Sequence, residues 1–328
     1  MSRPNLETFL IALTVLVATN QAIAGRVDQP PSFASSSRAS VAVSTDKPDH
    51  EAAPQAVKCT LSDISDLLPL QNPGTLPPER QALVENASLC ADSKGESAPS
   101  YAELLGFIYM SGNLLPNNSV PIDTDKARHY LTIAAKSGDV LAMAELAELE
   151  SALGDYEKAS VWTFIYDHYS TAKGWSDKYG YFPELLPRTY NKIDEATWKK
   201  VIAEGDGFIQ QNNVAIQATW ARDQQINEAS SGKFWVQRPG KFYFRTTGYY
   251  FSISAIAVFL VAFDKDGNRA GAWLLGAVPS AKVAAIFQDK ILDGRIVPRQ
   301  DGKSGLRYFR VPLNYADGLF KTTSGSKN

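Results

Sequence analysis

The strongest constraint on the fold is a pattern that comes round twice between residues 105 and 165. "LGFIYMSG" (105–112) leads to "DKARHYLTIAAKSGD" (125–139), and "LAELESALGDYEKASVWTFI" (146–165) brings back the same signs. Lys126-Ala127 and Tyr130 return as Lys158-Ala159 and Trp162, 32 residues on, and Leu105-Gly106 returns as Leu146-Ala147, 41 residues on. Small residues at such places let two helices approach closely, and the aromatics fill the groove between successive pairs. A period in this range predicts stacked helix–turn–helix units, none of which can bury its apolar face alone.

Helical signals continue on both sides of this stretch. Between Cys59 and Cys90, "DISDLLPL" and "PPERQALVENASLC" read as two short helical pieces separated by a Pro/Gly loop. Downstream, Asp194 is an N-cap candidate, and Trp198, Val201, Ile202, Phe208 and Ile209 share one helical face. "VAIQATWARDQQINEAS" predicts a further helix after it. Trp175, Trp198 and Trp220 admit a cleft reading, but two of them fall on apolar helical faces, which favours packing against the last repeat. Gly232 ends the helical half, so a helical-repeat domain is expected over residues 58–232.

From Phe234 the texture changes to β. "YYFSISAIAVFLVAF" (249–263) is rich in β-branched and aromatic residues, and "DKDGN" turns the chain back, with Asp266-Gly267 as a hairpin signal. "SAKVAAIFQDKIL" (280–292) is expected to be a helix capped by Ser280, with Val283, Ile286, Phe287 and Ile291 on one face. "LRYFRVPLNY" (306–315) alternates as a closing strand. The order predicts a small α+β domain over residues 233–320, an antiparallel sheet with one packed helix. Residues 249–263 are uncharged, but fewer than the ~20 that a membrane span needs.

The amino terminus carries an address. Arg3 precedes the apolar "FLIALTVLVA" (9–18), and "AIA" at 22–24 is a small-x-small cleavage site, the pattern of a secretory signal peptide over residues 1–24. Residues 25–57 are rich in Ser, Ala and Pro and lack apolar periodicity, so a disordered linker is expected there. Residues 321–328 read as a disordered tail. Export gives Cys59 and Cys90, the only two cysteines, a structural reading: in an oxidising compartment they pair as a disulfide. On the chain-entropy estimate such a bridge stabilises by roughly 3–4 kcal/mol.

Charge divides where texture divides. Residues 233–328 hold 15 Lys and Arg against 6 Asp, a balance of +9, and the rest of the chain holds 18 basic against 29 acidic side chains, a balance of −11. The basic segment is expected either to meet an anionic surface or the acidic half itself, or else its charges simply solvate a β domain. No nucleophile–base pair, paired acids, phosphate-cradling Gly motif or metal-ligand spacing appears, so no catalytic residue, metal or cofactor is expected. The three His (His50, His129, His168) are scattered, and Asp264 and Asp266 read as turn formers. The basic residues alternate with apolar ones on strands, which argues against nucleic acid as a partner.

Two family resemblances follow from these motifs. Leu105, Gly106, Tyr109, Gly112, Lys126, Ala127, Tyr130, Ala134, Ala135 and Gly138 resemble the SEL-one-like repeat of the tetratricopeptide superfamily, which implies a protein-interaction scaffold. Residues 240–316 resemble the TonB carboxy-terminal domain, through Asp264, Asp266, Gly267, Pro298, Asp301, Gly302, Val311, Pro312, Leu313 and Tyr315. That resemblance implies binding by strand pairing to an envelope protein, not catalysis. Pro312 lacks a donor, so the closing strand is expected at or near a sheet edge, where Arg307, Tyr308, Phe309, Arg310 and Val311 would take an extended acidic or polar segment. The expectation is a non-enzymatic binding or scaffold protein in the periplasm of a Gram-negative bacterium, without a stable span in the mature chain. The alternatives are an accessory energy-transducer component of TonB-dependent transport and a secreted virulence-type factor.

Overall fold

Three helices of the central stretch begin on an aspartate, and two of these end at a glycine of positive φ. The computed structural model describes residues 59, 77–93, 95, 97–115, 118, 120–173, 180–229, 234–236, 254–281, 294–296, 305–316 and 319–322. Helices α1 (Pro77–Ala91) and α2 (Ala98–Ser111) are followed by α3 (Thr124–Lys136), α4 (Val140–Ala152) and α5 (Tyr156–Ala172). Asp123 caps α3 by accepting from the Lys126 amide, Asp139 caps α4 through the Leu141 and Ala142 amides, and Asp155 caps α5 through the Lys158 amide. Gly138 takes φ +91, and the amide of Asp139 donates back to the carbonyl of Ala134, closing α3 in a left-handed turn that only glycine adopts cheaply.

The helices pack in sequence order, α1 on α2, α2 on α3, α3 on α4 and α4 on α5. Gly106 permits a close approach of α2 and α3, because a Cβ there would lie 2.6 Å from Cγ of Leu131. Glu150, buried on α4, accepts from Nε of Arg128 at 2.6 Å, tying α3 to α4. Helix α6 (Phe182–Tyr190) leads to α7 (Glu195–Ala229), and Asp194 accepts from the Thr197 amide at 2.7 Å. The sequence expectation of two helices here is corrected: α7 is one helix of 35 residues. Neither Pro nor a capping box interrupts "QQNNVAIQ", so the ladder runs through.

The carboxy-terminal strands form an antiparallel sheet in the order β3-β2-β5-β6, namely β2 (Ala255–Phe263), β3 (Arg269–Val278), β5 (Arg307–Ala316) and β6 (Leu319–Thr322). Two short strands, β1 (Phe234–Val236) and β4 (Gly294–Ile296), pair separately. The hairpin turn is built as its residues predict: Asp264 accepts from the amides of Asp266 and Asn268, and Gly267 takes φ +81. All nine residues of β2 are buried, which explains its unbroken apolar run. The helix expected at 280–292 lies outside the described residues from 282 onward, as do Trp175, the signal peptide, the linker and the distal tail.

Helices and sheet are not merely strung together. The described residues belong to one compact unit, Gln55–Asn328, and β3 packs on α2 and α4. One cluster of buried residues runs from Leu105 and Leu146 to Leu260 and Val278. Cys59 stands at disulfide distance from Cys90 on α1, with Cα atoms 5.4 Å apart. Among the described residues no helix is long and apolar enough to cross a membrane.

Candidate interaction site at the helix–sheet junction

Register decides which side each residue of β5 faces. Leu260 on β2 stands between Trp273 on β3 and Arg310 on β5, and Val258 stands between Gly276 and Pro312. Gly276 faces the helices, because a Cβ there would lie 2.5 Å from Oε1 of Glu145 and 2.9 Å from Cδ2 of Leu141. Tyr308, Arg310, Pro312 and Asn314 therefore share the helix-side face, and Arg307, Phe309, Val311 and Leu313 the other.

The five residues expected to form a binding edge have separate fates. Arg310 reaches inward: Nη2 donates to Oδ2 of Asp139 at 2.5 Å and to Oε2 of Glu103. Tyr308 is half-buried and stacks on Trp273, with centroids 6.4 Å apart and planes 20° from parallel. Phe309 packs edge-on against Phe263 at 5.8 Å, and Val311 is buried. Arg307 is half-buried on the far face. As for the edge, β6 pairs with β5 only over Leu313–Ala316. Among the described residues, Tyr308–Pro312 pair with β2 alone, so β5 is interior at its end and open over Tyr308–Pro312. Pro312 stands immediately before the β6 pairing starts, where its missing donor costs the ladder least.

Sequence reasoning missed the carboxylates that Arg310 meets. Glu103 on α2 and Glu145 on α4 are both fully buried, and Asp139 nearly so. Oε1 of Glu145 accepts from the Ala277 amide at 3.0 Å, binding α4 directly to the backbone of β3. Oδ1 of Asp139 caps α4 while Oδ2 takes Arg310. Burial pushes Glu103 up to about 8, with Arg310 opposing and Asp139 reinforcing the rise. Burial, then the charges of Glu103 and Asp139, push Glu145 well above the usual carboxylate range. Burial disfavours the charge of Arg310, but Glu103 and Asp139 outweigh it and its pKa rises. Nearby, Lys173 lies over the Trp220 ring at 4.5 Å and is pushed down by burial. The overlooked signal was an acid in the middle of an apolar helical run, "YAELLGF" and "LAMAELAEL".

Elsewhere the chemistry is sparse. Nε2 of the exposed His129 lies 3.6 Å from the Asp92 carboxylate, and His168 meets the edge of Tyr169. A groove of about 400 Å³ follows α3 past Arg128, His129 and Lys136, and Arg128 there is already taken by Asp125 and Glu150. Trp198 packs edge-on against Tyr190, and Trp220 donates Nε1 to the Gly138 carbonyl at 2.8 Å, so both act in packing. Among the described residues no group of His, Cys, Asp and Glu is arranged to hold a metal. Comparison of the chain with protein families, curated proteins and solved structures returned no match.

Proposed function

We propose that this chain is an exported, non-enzymatic binding or scaffold protein of the Gram-negative envelope, in which SEL-one-like helical pairs carry a TonB carboxy-terminal-like sheet. The observation that supports this reading is the open stretch of β5. Among the described residues, Tyr308–Pro312 pair with a strand on one side only, and β-augmentation needs such a row of backbone groups. The helices hold that strand rigidly through Arg310, so little order must be gained when a segment docks. The basic balance of residues 233–328 favours an extended acidic or polar segment, with binding that weakens as salt rises.

A photo-crosslinking side chain placed at the exposed Leu306, beside the open edge, tests the reading in intact cells. The control position is Val214, 83% exposed on α7. Adducts with an envelope protein from position 306 and none from position 214 are expected. Equal labelling from both positions, or from neither, overturns the edge as the binding site. An adduct with the periplasmic segment of an outer-membrane transporter would favour the accessory-transducer reading, and recovery of the chain from culture medium the secreted-factor reading.

A further inference from the structure

We propose that the helix–sheet junction is an acid-favoured latch: carboxylates from α2 and from the start of α4 share one guanidinium from β5, a third within α4 holds the backbone of β3 beside them, and the sheet is held most firmly while the surplus carboxylates are protonated. The geometry gives two independent reasons. Glu103, Asp139 and Glu145 bring three buried acids to one guanidinium, a surplus of negative charge, although the Arg310 side chain itself is 32% exposed. In addition, Oε1 of Glu103 and Oε2 of Glu145 are buried and have no hydrogen-bond partner. An ionised carboxylate only accepts and suffers from burial without donors, whereas the protonated acid gives up most of that penalty.

The remaining charges facing the cluster do not remove the surplus. Lys173 at the end of α5 and Asp223 on α7 bear on it with opposite signs. Glu103 and Glu145 both have raised values when folded, so the folded chain binds more protons than the unfolded one. Stability from these groups is therefore complete below their unfolded value of 4.5 and falls as pH climbs toward about 8, where Glu103 titrates. Carboxylates with lowered values, such as Asp155, act below that window. Lys173, pushed down, opposes the trend on the alkaline side. The inference stands apart from any partner at the β5 edge.

Thermal unfolding of the full chain between pH 5 and pH 8 tests it, with Glu145→Gln and Glu103→Gln as variants. Gln at 145 keeps an oxygen for the Ala277 amide and cannot ionise. The wild-type Tm is expected to fall by about 4 °C or more across the window, and each variant to flatten that fall by about half. Protection of the Ala277 amide, corrected for intrinsic exchange, should fall about tenfold over the same range in the wild type. A wild-type Tm that is level or rises from pH 5 to pH 8 overturns the latch. So does a wild-type slope retained in both variants. Should Glu145→Gln fail to fold, the wild-type profile and Glu103→Gln decide the matter by themselves.

Discussion

Two turns in the helical half are built from the same parts and do different work. Gly138-Asp139 closes α3 and opens α4, and Gly154-Asp155 closes α4 and opens α5. Both glycines take positive φ, +91 and +79, and both aspartates cap with Oδ1 while Oδ2 holds a cation. At Asp155 that cation is Lys158, three residues on and exposed. At Asp139 it is Arg310, 171 residues away on a strand of the sheet. A Cβ on Gly138 would meet Nε1 of Trp220 at 2.7 Å, whereas one on Gly154 would meet nothing within 4 Å. One turn is a local device, and its twin is the joint that fastens helices to sheet. Identical local chemistry takes its meaning from what the third dimension brings to it.

Replacing the two cations breaks the comparison most sharply. Arg310→Met leaves the buried Asp139 carboxylate without its cation, and should destabilise by about 3 kcal/mol at pH 7, the lower end for a broken buried pair because the Arg310 side chain is 32% exposed. The cost should shrink at pH 5, where the surplus acids are already neutral. Lys158→Met, which removes the exposed counterpart, should leave the urea midpoint unchanged. Comparable losses at the two positions would mean that Arg310 is a surface pair like any other.

The glycines come next. Ala at 138 carries the left-handed penalty of about 1–2 kcal/mol, and its Cβ also presses on Trp220 and Ile216, so a total of about 2–3 kcal/mol is expected. Ala at 154 should cost only the backbone share, about 1 kcal/mol. Because Trp220 donates to the Gly138 carbonyl, its fluorescence should shift in the first variant and hold in the second. Equal costs and no spectral change would remove α7 from the joint.

What the sequence disclosed follows the range of the interactions involved. The Asp194 cap and the Asp264–Gly267 turn are decided within five residues, and both stand where the sequence placed them. The alternation of 306–315 gave the strand, and the split between an acidic and a basic half gave one true consequence, since Arg310 meets Glu103 and Asp139 of the acidic half. The particular partners were hidden because a contact between residues 103 and 310 leaves no local period to read. The length of α7 was misjudged for the opposite reason: "VAIQATWARDQQINEAS" reads as a separate helix, but "QQNN" before it holds neither Pro nor Gly and the ladder runs on through it.

The smallest effect tests the sign of the pH dependence in the two turns. The carboxyl of Asp155 is held below its usual range, first by the hydrogen bond from the Lys158 side chain and then by the Lys158 amide, with burial opposing. A lowered acid contributes stability that is present above its unfolded value and lost as pH falls through the folded one. Asp155→Ala should therefore cost about 1 kcal/mol at pH 7, the worth of an N-cap, and progressively less below about pH 4. The junction behaves in the reverse sense, firmer in acid because its surplus carboxylates are raised. Wild type and Asp155→Ala, unfolded in urea at pH 7 and again at pH 3, should converge as the cap protonates. A gap of the same size at both values would mean that the side chain at 155 stabilises α5 by something other than its charged carboxylate, and the two turns would then differ in more than the cation each one holds.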